Sequence, residues 1–143
     1  MDGGGWLGPH NFLSLEKKEK HGLKIKHSIE DKLFSEYIRK KSGGVCAYCQ
    51  KQIGYKKLQA SHYFGRRNKS LRWDERNVSA LCFTCHMVIM TENPFHHTRW
   101  MKKKLGTTGF NSLVRASNRI KKWTKPDLKD LRADLRKKIK ELE

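Results

Sequence analysis

The residue types best suited to chemistry are four cysteines, arranged as two Cys-x-x-Cys pairs, Cys46/Cys49 and Cys82/Cys85. Each pair closes a tight turn that presents two thiolates, and one tetrahedral zinc ion can join two such turns from distant parts of a chain. The opening stretch, MDGGGWLGPH, has neither the basic nor the apolar run of a secretory leader, so a structural zinc is expected ahead of disulfides. A thiol redox role is the weaker alternative. Cys82-Phe83-Thr84-Cys85-His86 also fits the pattern of c-type haem attachment. Against haem stand the second, equally good cysteine pair and the missing export signal.

Three polar residues lie between or beside the pairs: His62, Asn77 and His86. A neutral imidazole can take a proton from water attacking phosphorus. A second imidazole can hold a divalent cation that stabilises charge on a phosphate and its leaving oxygen. An amide side chain can hold the base by hydrogen bonding the loop around it. These are the requirements of phosphodiester hydrolysis. Spacing alone leaves plainer alternatives open, since a histidine beside a zinc site can be a supporting or surface residue and Asn77 can cap a helix.

Positioning these groups requires a strand, a loop and a helix pinned by the metal. His62 falls in a strand expected over 57–64, itself part of an irregular hairpin over 45–64. A polar basic loop follows over 65–76, and Cys85 and His86 open a short helix that ends before Asn93-Pro94. Upstream, Ser28 and Asp31 form an approximate capping box for a helix whose apolar stripe is Ile29, Leu33, Phe34, Tyr37 and Ile38, stopped at Gly43-Gly44. Downstream, the segment 95–105 meets a Gly106/Gly109 break, and a helix is expected over 110–122. A final helix has Pro126 in its first turn and Leu128, Leu131, Leu135, Ile139 and Leu142 at steps of three or four. That stripe suits packing against the body or against a partner helix. The division expected is a weakly structured lead over 1–27, including Trp6 and a marginal helix over 14–26, a core domain over 28–109 and a helical extension over 110–143.

Charge narrows the class of partner. The 143 residues carry 32 Lys or Arg against 14 Asp or Glu, a formal +18, and only 36% are hydrophobic. A core that lean benefits from metal-binding energy, which becomes folding energy. The surplus is densest over 46–105, where twelve basic residues face three acidic ones. Repulsion at that density is best relieved by phosphates, so nucleic acid is the expected partner. No run is long enough to span a membrane, and the basic middle offers no long amphipathic helix for a membrane surface, so a cytoplasmic protein is expected. Arg66, Arg67, Lys69, Arg72 and Arg76 decorate the loop between His62 and Asn77, where they would grip backbone phosphates. His96-His97, Arg99 and Lys102 to Lys104 extend the positive stretch. Trp73 suits a loop anchor or a core position.

The stretches DKLFSEYIR (31–39), LQASHYFGRR (58–67) and LRWDERNV (71–78), with the paired cysteines flanking the latter two, resemble the zinc-stapled HNH endonucleases. Within that group they are most similar to the phage NinG, or Rap, recombination proteins. The resemblance covers roughly residues 30–110. It implies an α+β fold, a small ββα-metal (His-Me finger) core stabilised by a four-cysteine zinc site and flanked by helices. It also implies that His62 is the general base, Asn77 the middle asparagine and His86 the residue holding a catalytic Mg2+ or Mn2+. The last of these positions is usually Asn in NinG-like proteins and His in many other HNH enzymes. Many HNH nucleases place an Asp before the base as a metal ligand, where this chain has Ser61, in keeping with the small residue usual in the NinG-like pattern. Asp74, Glu75, Glu92 and His96 are the candidates for the remaining ligand, with Glu92 preferred because it closely follows His86.

The activity implied is metal-dependent hydrolysis of DNA, selective for branched recombination intermediates. Resolving a two-fold junction takes paired cuts and so, most simply, a homodimer. The alternatives are a general or nicking HNH endonuclease on duplex DNA, a non-catalytic zinc-stabilised nucleic-acid-binding protein, and an RNA-binding protein.

Overall fold

The computed structural model describes residues 26–143. The Gly-rich lead, Trp6 and almost all of the marginal helix expected over 14–26 lie outside the described residues. Helix α1, Ile29–Lys41, begins with the expected capping box: Asp31 N–H donates to Ser28 Oγ at 3.2 Å, and Ser28 N–H donates to Asp31 Oδ2 at 2.9 Å. Phe34, Tyr37 and Ile38 are buried, but Ile29 is 56% exposed, so the apolar stripe starts one turn later than its spacing suggested. Glu30 and Asp31 are buried in the first turn instead, because Arg132 and Arg72 reach them there.

After α1 the chain forms a cysteine knuckle closed by a bridge between Val45 and Gln52. Gly44 sits in it at φ 80°, and a Cβ there would come within 2.9 Å of the Gly54 backbone, so no other residue fits. The sheet is a single antiparallel pair, β1 (Gln59–His62) and β2 (Val78–Leu81), with His62 opposite Val78 and Ser61 opposite Ser79. The partner of the His62 strand is therefore β2, not the knuckle segment of the hairpin expected over 45–64. All four residues of β2 are buried, which removes the inside–outside alternation that marks a half-exposed strand.

A seven-residue π-helix, Thr84–Met90, carries Cys85 and His86 out of the second knuckle. Helix α2, Pro94–Ser117, follows, capped by Asn93, whose side chain accepts from His96 N–H. Gly106 breaks it at φ 71°, ψ 170°, as expected, but Gly109 continues the second half, which stops at Ser117 and not at 122. The boundary expected at 109/110 falls inside this second half. Helix α3, Lys125–Glu141, has a second capping box between Thr124 and Asp127. Its stripe packs on the body: Leu135 and Ile139 are buried with α1 and both strands in the main core. A smaller core of Leu71, Met101, Phe110, Leu113 and Ala116 lies under the basic loop. Among the described residues, no helix is long and apolar enough to cross a membrane. The fold is a small α+β unit in which two strands and the following helix are stapled by a four-cysteine cluster.

Candidate functional site

The four thiols converge. The Sγ atoms of Cys46, Cys49, Cys82 and Cys85 all lie within 4.8 Å of one another, and Cys49 and Cys82 are 3.9 Å apart. Zn–S bonds of about 2.3 Å place the edge of a tetrahedron at roughly 3.8 Å, so the spacing fits a zinc ion. Cys82 N–H donates to Cys46 Sγ at 3.3 Å. Burial alone would raise the Cys46 pKa, but N–H donation from Cys82, Cys49 and Tyr48 outweighs it and brings the thiol to about 7. Cys85 is shifted upward by burial and its thiol neighbours. A divalent ion relieves that crowding by taking all four groups as thiolates, and the cluster is a structural zinc site.

One turn of chemistry away, β1 presents His62. Its Nε2 lies 2.9 Å from the backbone carbonyl of Arg72, which can only accept, so Nε2 carries the proton and Nδ1 keeps a lone pair. Burial lowers the pKa of His62, and the charge of Arg66 lowers it further. The imidazole is therefore neutral and in one tautomer near pH 7.

Asn77, 1% exposed, is the buried fastener of the same loop. Its Oδ1 accepts from Phe64 N–H at 2.8 Å, while Nδ2 donates to the carbonyls of Phe64 at 2.8 Å and Leu71 at 3.1 Å. It ties both ends of the loop and fixes the residue next to the Arg72 carbonyl that holds His62. Asp31 grips the loop from α1. Arg72 Nε donates to Oδ1 at 2.9 Å, its terminal nitrogen donates to Oδ2 at 2.6 Å, and Trp73 Nε1–H donates to Oδ1 at 3.0 Å. Burial would raise the Asp31 carboxyl, but Arg72 and Ser28 hold it down at about 2.

His86 faces the same region from the π-helix, a backbone form that recurs at functional sites. Its Nδ1–H donates to Gln59 Oε1 at 2.7 Å, which leaves Nε2 as the free donor atom. Burial lowers its pKa. His62 and His86 both line two adjoining cavities, of about 760 and 390 Å³.

A family model described as the bacteriophage lambda NinG protein matches residues 14–143. The chain belongs to the NinG family. No curated protein and no solved structure matches it. Membership and the four-cysteine cluster make this NinG-family chain a metal-binding protein of a recombination-nuclease family, with DNA as the partner that family implies.

The candidates for a further metal ligand are placed unequally. Ser61 is buried and lines the smaller cavity. Asp74 is bound to Arg76, and Glu75 to Lys41 and to the Tyr37 hydroxyl. His96 bonds the Tyr48 hydroxyl at 2.9 Å. Glu92 is exposed and lines neither cavity.

The five basic loop residues also divide. Arg72 is turned inward, its side chain 17% exposed and its charge answered by Asp31, so it braces the loop where a phosphate contact was expected. Arg76 folds back on Asp74 at 2.7 Å. Arg66 lines the larger cavity, and Arg67 and Lys69 are exposed. Sequence reasoning missed the opposite wall of that cavity, where α1 contributes Lys32 and Arg39. Their spacing of seven, two helical turns on one face, is the signal that was there to find. His97, expected only to extend the positive stretch, is instead buried and lines the smaller cavity with Ser61.

Proposed function

We propose that this NinG-family protein is a metal-dependent DNA endonuclease in which His62 is the general base. The observation that carries the reading is the 2.9 Å contact from His62 Nε2 to the Arg72 carbonyl, which leaves Nδ1 free to take a proton from water attacking phosphorus. Asn77 and Asp31 act through the loop as positioning residues, because they fix the carbonyl that orients the ring. His86 offers Nε2 to a divalent cation, Mg2+ or Mn2+. Such an ion, when bound, would stabilise charge on the phosphate and leaving oxygen. The donors present in the smaller cavity, imidazole and the Ser61 hydroxyl, fit a divalent ion held by few protein ligands with water completing its shell.

Arg66 on one side, with Lys32 and Arg39 on the other, gives the larger cavity a phosphate-binding rim. We infer branched recombination intermediates as the substrate, as the resemblance of the motifs to the NinG-like recombination proteins implies. Paired cuts on a two-fold junction would take two copies of the chain. Leu135 and Ile139 of α3, being buried in the main core, would not be their contact.

The test is to incubate the protein with a four-way junction, matching duplex and supercoiled plasmid, in EDTA, Mg2+ or Mn2+. Metal-dependent cutting that favours the junction is expected. Nicking of plasmid alone would support a general HNH nuclease, and binding without cutting a non-catalytic role. His62→Ala should lower the rate by about 10²–10⁴ while DNA binding persists. Cutting at the wild-type rate would remove His62 as the base.

A further inference from the structure

The smaller cavity holds a third histidine. His97 is 8% exposed, lies in the first turns of α2, and lines the same 390 Å³ space as Ser61, His62 and His86. Its ring is set edge-on against Tyr63 at 5.0 Å, and the Tyr63 hydroxyl is tied to Thr98 Oγ1 at 2.8 Å, so the imidazole is held in place by packing. Among the described residues nothing hydrogen-bonds that ring, whereas the neighbouring His96 is satisfied by Tyr48. No fully buried side-chain nitrogen is left without a partner, so the ring nitrogens of His97 are reached through the cavity itself.

A buried imidazole with free nitrogens, lining one cavity with a second imidazole whose Nε2 is also free, offers two lone pairs to one small ligand. A neutral imidazole nitrogen offers a lone pair, which a cation accepts and a phosphate does not, so these nitrogens suit a cation. Ser61 offers only a hydroxyl where a carboxylate would bind, and Asp74, Glu75 and Glu92 are committed or directed elsewhere. The three imidazoles do not close on one point as the thiols do: among the described residues, only the four cysteines form a group of three or more donors within 4.8 Å. Two histidines that hold and one that abstracts satisfy that geometry.

We propose that His97 is the second protein ligand of the divalent ion held by His86, in place of the carboxylate absent at Ser61. The proposal rests on the nuclease reading for the purpose of the ion, but not for its binding. Two imidazoles and a hydroxyl make a nitrogen-rich site, which selects Mn2+ over Mg2+, since Mg2+ demands oxygen ligands.

The test uses the full chain carrying one zinc, titrated with MnCl2 and followed by electron paramagnetic resonance, with nitrogen couplings to the bound Mn2+ counted. The wild type should bind one Mn2+ with two coupled imidazoles and prefer it to Mg2+. His97→Gln, which keeps the volume, and His97→Ala should each weaken Mn2+ by about tenfold or more, as should His86→Ala, and leave one imidazole coupled. His96→Ala should bind as the wild type. His97→Glu should shift the preference toward Mg2+, an effect that loss of packing would not produce. Wild-type Mn2+ affinity and two couplings in folded His97→Gln would overturn the assignment, as would a wild type that binds no Mn2+. Mn2+ bound through both histidines in a protein that cuts no DNA would sustain the ligand assignment and remove the nuclease reading alone.

Discussion

Replacing Asp31 by Asn tests the loop bracing most directly, because it removes one charge and little volume. Its side chain is 4% exposed, and it receives two hydrogen bonds from Arg72, one from Trp73 Nε1 and one from Ser28 N–H. Holding a carboxyl at about 2 instead of 3.8 stabilises the folded state by about 2.4 kcal/mol at neutral pH. The sign follows from the downward shift. The contribution is complete above the unfolded value of 3.8 and disappears as pH falls through about 2. By pH 3 roughly 1.3 kcal/mol of it should remain. Asp31→Asn should therefore lower the urea unfolding free energy by about 2–3 kcal/mol at pH 7, with Arg72 left short of its counter-charge, and the gap should narrow by about half at pH 3. Because Arg72 also supplies the carbonyl that holds His62, cleavage should fall in kcat with little change in KM for DNA. A loss below about 0.5 kcal/mol at pH 7, or a loss that does not shrink on acidification, would refute the argument that this ion pair braces the loop.

Asn77→Ala strips three hydrogen bonds from buried peptide groups of the loop and should cost on the order of 2–4 kcal/mol in urea unfolding, with a parallel fall in kcat. Loss of stability without loss of activity would show that the loop does not position the base. The pH–rate profile should keep its plateau below pH 6.5, since burial lowers the pKa of His62 and the unprotonated form persists into mild acid; an acidic limb centred above 6.5 would contradict that tautomer and environment. Cys46→Ser should reduce bound zinc below one per chain and abolish cooperative unfolding, measured by metal analysis and circular dichroism. Full zinc retention would show that Cys46 is not a ligand.

Much of this protein is local in origin and so was legible residue by residue. The capping box at Ser28/Asp31 acts over three residues and Pro126 marks a first turn, and α1 and α3 begin at those residues. Gly106 breaks α2 through its own φ. The cysteine pairs carry their turn geometry in their spacing, and one metal then dictates that they meet. The motif residues His62, Asn77 and His86 were marked by type and order. Partnership over long range was not marked. β2 is four residues buried on both faces, so no periodicity distinguishes it, and only its register against β1 makes it a strand. Arg72 looked like its basic neighbours, and Asp31 looked like a cap alone. Folding places them 41 residues apart in sequence and 2.6 Å apart in space, which turns a phosphate contact into an internal brace. His97 differs from His96 by one position, or about 100° around α2, and that rotation separates a group bonded to Tyr48 from one opening into the cavity with His86. The sequence alone determined which chemistry was available, because side-chain type and short spacing are local properties. The tertiary structure decided which of those groups face each other, because burial and pairing depend on segments that the chain order keeps far apart.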